Sequence, residues 1–391
     1  MKSISSFALS KEIPLFVLAL AILFPHALIA RPPYDKRSGA YPNGSSGSNM
    51  QAVAARAAND VWVVGWSWTA SPYTQWPVVE HWDGAQWNLI ANPANVPQSR
   101  LLGVTVVAQN DVWMVGQTLD TDRTLAMHWN GTALSVVSTP SPTQNDQLNA
   151  VAAAASNDVW AVGSTGYTSS RATLIEHWDG THWSVVYSSN GGYLDELLGV
   201  AVLPKGKSLH ENCRCRNEVW AVGALYLNNL YSQVLVWDRL RWGVDPSSIQ
   251  GIYGAEFLGV SALTQENVWA VGIDSGSFTC HWDGASWTKV PSPNPGSYGT
   301  ALYAVAMIAS NDVWAVGQTI YPNETVTLHW DGNSWTRVPS PSPSSTSSGN
   351  ILYGVAAMSS KDVWAVGTGQ AGLILRWNGN QWLVVPHPAG Q

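Results

Sequence analysis

A Val-Trp pair followed three residues later by Gly occurs seven times in this chain. Each is followed thirteen to twenty residues on by a second Trp that usually opens Trp-Asp-Gly-x-x-Trp. The first Trp falls at Trp62, Trp113, Trp160, Trp220, Trp269, Trp314 and Trp364, and the second at Trp82, Trp129, Trp178, Trp237, Trp282, Trp330 and Trp377. A third closes six units, at Trp87, Trp183, Trp242, Trp287, Trp335 and Trp382, while Leu134 replaces it in the second. Units with a period near fifty residues cannot each bury an apolar face alone; they gain a core by stacking on neighbours. The repeat runs without change of character over residues 50–391, so those residues form one domain despite the length of the chain.

Each unit holds four strand-like runs. In the sixth they are residues 302–307, 312–317, 325–330 and 334–338, rich in β-branched and aromatic residues, without helical spacing and divided by turn residues. Asn311-Asp312 links the first two runs, and Asp331-Gly332, a dipeptide suited to a two-residue hairpin, links the last two. Four antiparallel strands repeated seven times predict an all-β fold, a seven-bladed β-propeller. The first strand carries small residues beside Val, as in Val151-Ala152-Ala153 and Val355-Ala356-Ala357, which places it innermost, where seven strands crowd an axis. The repeat tryptophans then lie between blades. Each buried Trp removes roughly 200 Å² from water, a gross gain on the order of 5 kcal/mol, so all twenty are expected in the core.

Asp-Val-Trp-Ala-Val-Gly followed by His-Trp-Asp-Gly-x-x-Trp resembles the Trp-rich repeats of tectonin-type propellers. The Asp-Gly-x-x-Trp hairpin is similar to Asp-box turns and to the last hairpin of kelch repeats. The chain departs from kelch repeats in having a lone Gly (Gly65, Gly163, Gly317), and from the Asp-box in having Asp and Gly adjacent (Asp179-Gly180, Asp283-Gly284). The tectonin-type resemblance implies glycan binding.

Only 12% of residues are charged, and the net charge is −7 with no Lys/Arg stripe, so nucleic acid is excluded as a partner. Residues 1–30 open with Lys2 and Lys11, run apolar over 13–24 and end in Ala30, the pattern of a signal peptide and hence of a secreted or extracytoplasmic protein. Leu28 fits the small-residue position before the cut poorly, which leaves an uncleaved N-terminal membrane anchor as the alternative. Residues 31–49, with Pro32-Pro33 and a Gly/Ser run, read as a flexible linker.

His81, His128, His177, His281 and His329 recur at equivalent places in separate blades, so they cannot converge on one metal ion and read as scaffold. The repeated Asp residues read as turn caps. Non-repeated carboxylates are Glu80, Glu176, Asp195, Glu196, Glu256, Asp274 and Glu324. A pair of these brought together could act as acid and base on a glycosidic bond, with Arg56, Arg100, Arg123 and Arg171 available to a sialidase-like site, although no motif ties them together. No nucleophile elbow, phosphate loop or zinc motif is present, and no cofactor or metal is implied. An insertion at residues 204–216 of the fourth unit is basic; His210, Cys213 and Cys215 there lack zinc-type spacing. In an exported protein Cys213 or Cys215 paired with Cys280 as a disulfide is the better reading.

Loops between strands one and two and between three and four leave from one propeller face, and the others from the opposite face. That second face carries the variation: Trp66, Trp68, Tyr73 and Trp76 in one loop of the first unit, Tyr167 in the third, Tyr226 and Tyr231 in the fourth and Tyr321 in the sixth. Aromatics among Ser, Thr, Asn and Gln suit an uncharged ligand such as a cell-surface or extracellular glycan, bound without catalysis; a protein partner is the alternative. The competing structural reading is that these rings merely cover blade edges. Three loop tryptophans outside the repeat argue for binding, as an exposed apolar patch.

Overall fold

The computed structural model describes residues 45–388 apart from 168–169, 189–193, 204–217, 227–228, 245–253, 345–348 and 370. The N-terminal signal segment, most of the linker and the insertion at 204–216, with Cys213 and Cys215, lie outside the described residues. The described residues form seven four-stranded antiparallel sheets, each a simple meander. The first strands of successive blades contact one another around the whole circle, and the seventh returns to the first. They are therefore the innermost strands of a closed seven-bladed β-propeller.

The first strand of blade 1, Ser45–Ala57, begins inside the stretch read as linker: residues 45–49 pair with the second strand, Asp60–Ala70, and are ordered by it.

Each innermost strand carries a β-bulge at one equivalent place. The bulged residues are Gln51, Leu102, Asn149, Leu198, Leu258, Tyr303 and Tyr353, each skipped in the pairing with the second strand. This bulge explains the lone Gly of the repeat. It drives a carbonyl of the innermost strand toward the Gly of the second, so that a Cβ on Gly317 would lie 1.8 Å from the Ala301 carbonyl oxygen.

Between blades the first Trp of one unit meets the third Trp of the next edge to face. Six such pairs have ring centroids 5.0 to 5.9 Å apart, and Leu134 fills the seventh place against Trp62. Most of these indole N–H groups are buried without a hydrogen bond. The first and third tryptophans are core, as expected. The second is only half-buried in every blade but the fifth: it sits at the blade edge, and in blades 1, 3, 6 and 7 its N–H donates to a backbone carbonyl of the first turn, as Trp178 does to Ser156.

Each repeat His stacks on the first Trp of its own blade. In four blades its Nε2 meets the Asp that opens the second strand, as in His128 to Asp111 at 2.8 Å, and in blade 5 it meets Asn267. In blade 7 the His gives way to Arg376, which donates to Asp362 and lies over Trp364. The Asp-Gly connection is a four-residue loop rather than the two-residue hairpin expected. In blade 1, Trp82 pairs with Trp87, and Asp83 Oδ1 accepts the N–H groups of Ala85 and Gln86. Those bonds, Gln86 first, hold the Asp83 carboxyl down to about 2.

Candidate functional site

The second and third strands of blade 1, Asp60–Ala70 and Tyr73–Trp82, are longer than their counterparts Asp312–Thr319 and Thr325–Trp330 in blade 6. The segment read as a loop is thus a paired hairpin rising from the variable face, because alternating Trp, Ser, Thr and Gln suit a two-sided ribbon. Register sorts its side chains. Trp66, Trp68, Gln75 and Tyr73 share one side, and Trp76 takes the other with Ser67.

On the first side the groups are connected to blade 2. The Arg100 guanidinium lies 5.2 Å from the centre of the Trp66 ring, and its Nε donates to Gln75 Oε1. Gln75 Nε2 donates to the Tyr73 hydroxyl, and the Gln75 backbone N–H reaches Gln98 Oε1 at 3.4 Å. Burial lowers the Arg100 pKa, against an opposing pull from Tyr73. Trp68 lies against the backbone of Gly47, where a Cβ would meet the indole at 2.4 Å. The three tryptophans are all half-buried, whereas Tyr73 is 49% exposed. The exposed apolar patch expected is therefore narrower: one tyrosine above a supported cation–aromatic–amide cluster.

Beside this hairpin the innermost strands meet around the axis. The residue whose carbonyl faces the repeat Gly is Asn49, Arg100, Gln147, Glu196 or Glu256 in blades 1 to 5, and apolar Ala301 or Ile351 in blades 6 and 7. Glu196 accepts from Gln147 Nε2 at 2.7 Å, from Asn149 Nδ2 at 3.0 Å and from the Arg171 guanidinium. Glu256, in the next blade, has no hydrogen bond or cation among the described residues. Burial, then the charge of Glu196, push its carboxyl up to about 7. Tyr303 and Tyr353 follow, edge to face with centroids 5.2 Å apart, and Gln318 donates to the Tyr303 hydroxyl.

Glu196 and Glu256 are the two non-repeated carboxylates that the fold brings together. The others disperse. Glu80 pairs with His387 in the core, Glu176 is wholly buried between blades 2 and 3, Asp195 is buried, Asp274 meets Lys289, and Glu324 meets Arg337. Arg56 is held by Asp60, and Arg171 by Glu196, so no three-arginine cluster forms from the candidates. Tyr167 donates to Gln144, Tyr226 is 41% exposed, Tyr231 pairs across a hairpin with Leu225, and Tyr321 lies 5.9 Å from Tyr298. These four stand on blades 3, 4 and 6, away from the blade-1 hairpin. Cys280 is buried and free, its thiol pKa raised by burial. Among the described residues no three His, Cys, Asp or Glu side chains group as metal ligands.

The sequence reading missed Gln147, Asn149, Tyr303, Tyr353 and Tyr298. For Asn149, Tyr303 and Tyr353 the signal was available: a polar or aromatic residue where blades 2, 4 and 5 have Leu.

The chain is thus a seven-bladed propeller with an acidic and aromatic channel mouth and an extended hairpin at its rim. No family model and no curated protein matches it. Among solved structures it resembles YCF48 bound to D1 peptide, at 14% identity and a TM-score of 0.53 over 85% of this chain and 92% of that one. It also resembles the WD40 β-propeller domain of Doa1, at 13% identity and a TM-score of 0.55 over 87% and 95% of the two chains. The GH74 xyloglucanase from Xanthomonas campestris, at 13% identity and a TM-score of 0.62, matches 91% of this chain, which spans only 56% of the enzyme. At these identities the likeness establishes the fold alone.

Proposed function

We propose that the protein is an exported, non-catalytic recognition module that binds a glycan on the face bearing the blade-1 hairpin and the channel mouth. The observation that carries this reading is the cluster of Trp66, Arg100, Gln75 and Tyr73. A half-exposed phenol and a guanidinium stacked on indole offer flat surfaces to the apolar face of a sugar. The Tyr73 hydroxyl, which accepts from Gln75 and keeps its own O–H to donate, serves the sugar's hydroxyls, while buried Gln75 holds it in place. The Trp-rich repeat, with its resemblance to tectonin-type propellers, supports the same class of ligand. Export rests on residues 1–30, with their basic start, apolar run and terminal Ala30. A glycan-array screen of the purified protein tests the binding claim, and saturable binding to a defined oligosaccharide is the expected outcome. N-terminal sequencing of protein recovered outside the cytoplasm tests export, with Arg31 expected as the first residue. A protein partner is the second reading, favoured by the peptide-bound state of YCF48. It predicts a silent array and a stable complex in pull-downs.

A further inference from the structure

We infer that the channel mouth selects a sugar carrying a free, protonated amine, which sits between Glu256 and the Tyr303–Tyr353 pair. This inference rests on the glycan reading and assigns the ligand class. Of the two carboxylates at the mouth, Glu196 is already compensated by Arg171, Gln147 and Asn149. Glu256 is not. It stands on the innermost strand of blade 5, half-buried and close enough to Glu196 and Tyr303 for their charges to interact, with no hydrogen bond or cation among the described residues.

A carboxylate in that setting is stabilised by a cation brought from outside, because a charge-assisted contact in a partly desolvated site is stronger than one in water. Arg100, the cation of the same carbonyl ring, is already engaged with Trp66 and Gln75. Tyr303 and Tyr353 add two aromatic faces beside the acid, and an ammonium over such a face gains a further cation–π attraction. Gln147 and Asn149 spend amide N–H groups on Glu196, which leaves their carbonyl oxygens to accept sugar hydroxyls. A lysine side chain would use the acid but not these amides, so a hexosamine fits the mouth better than a basic peptide does.

Calorimetric titration near neutral pH with the glucosamine trimer, its fully N-acetylated counterpart and trilysine tests this. The glucosamine trimer is expected to bind at least about tenfold more tightly than the acetylated one. Glu256→Gln should erase that preference. With the amine's own protonation measured separately on the free trimer, the wild-type preference per protonated amine should also fade as pH falls through about 7, where Glu256 takes up its proton, a readout that needs no variant to fold. Equal binding of the two trimers, or a preference that survives Glu256→Gln, overturns the amine inference and leaves the glycan reading standing. Tighter binding of trilysine than of either trimer, or no binding of any of the three together with a silent array, overturns both. Release of shortened sugars by the wild-type protein overturns the non-catalytic assignment.

Discussion

At the scale of single residues, two carboxylates at one repeat position show how context sets the role of a side chain. Glu80 and Glu176 both precede the repeat His and both face the preceding blade, where other blades have Met127, Leu328 or Leu375. Glu80 is met by His387 at 3.1 Å. Glu176 has both oxygens buried without a hydrogen bond, and burial, then Asp146, push its carboxyl up to about 9. An acid whose folded pKa is raised holds its proton while the unfolded chain loses it. Stability is therefore greatest below the ordinary Glu range and falls as pH rises toward about 9. Glu176→Leu should raise stability near neutral pH by about 1–3 kcal/mol and flatten this slope. Urea titrations across that pH range check it, and an unchanged slope would show the carboxyl to be solvated.

At the scale of strands, the repeat Gly and the bulge are one device. The bulge turns residues such as Asn149, Tyr303 and Tyr353 toward the axis, and Gly gives the displaced carbonyl room. Gly317→Ala should cost about 1–3 kcal/mol through overpacking. Gly243→Ala, with nothing within 4 Å of the new Cβ, should be near neutral. Comparing the two melting curves checks the claim; equal effects would mean that the bulge is not what excludes a side chain. The strands, their order and the inter-blade tryptophans were legible in the sequence because local pattern fixes them. The channel mouth was not. A bulge slips the two-residue alternation by one and is set by crowding of seven strands about an axis, which no single repeat displays. Glu196 and Glu256 could be picked out as non-repeated acids, but their adjacency came only with the ring. Trp66, Trp68 and Trp76 were rightly set apart from the repeat, yet their hairpin pairing and division between two sides depend on register with partner strands.

At the scale of the whole molecule, the ring closes without exchanging a strand among the described residues: blades 1 and 7 each contain only their own four strands there. The seam instead holds packed side chains, the hydrogen bond from Ser48 Oγ to the Ala371 carbonyl, and the buried His387–Glu80 pair. His387→Ala removes this contact across the seam and should lower the melting temperature. His387→Ala and Glu80→Leu together should cost less than the sum of the two single losses. Additive losses in this double-mutant comparison would show that the two side chains are not coupled.

The central claim is that a rigid Trp-built ring presents a separate recognition surface at the blade-1 hairpin. The most direct measurement pairs thermal melting with glycan-array binding for Trp160→Ala and Tyr73→Ala. Trp160→Ala should lose about 3–5 kcal/mol of stability as a core deletion. Tyr73→Ala should melt within about 0.5 kcal/mol of wild type, as an exposed substitution, yet lose binding to the oligosaccharide that wild type retains. A Tyr73→Ala protein that keeps the full wild-type array profile, or that unfolds as Trp160→Ala does, would contradict the account.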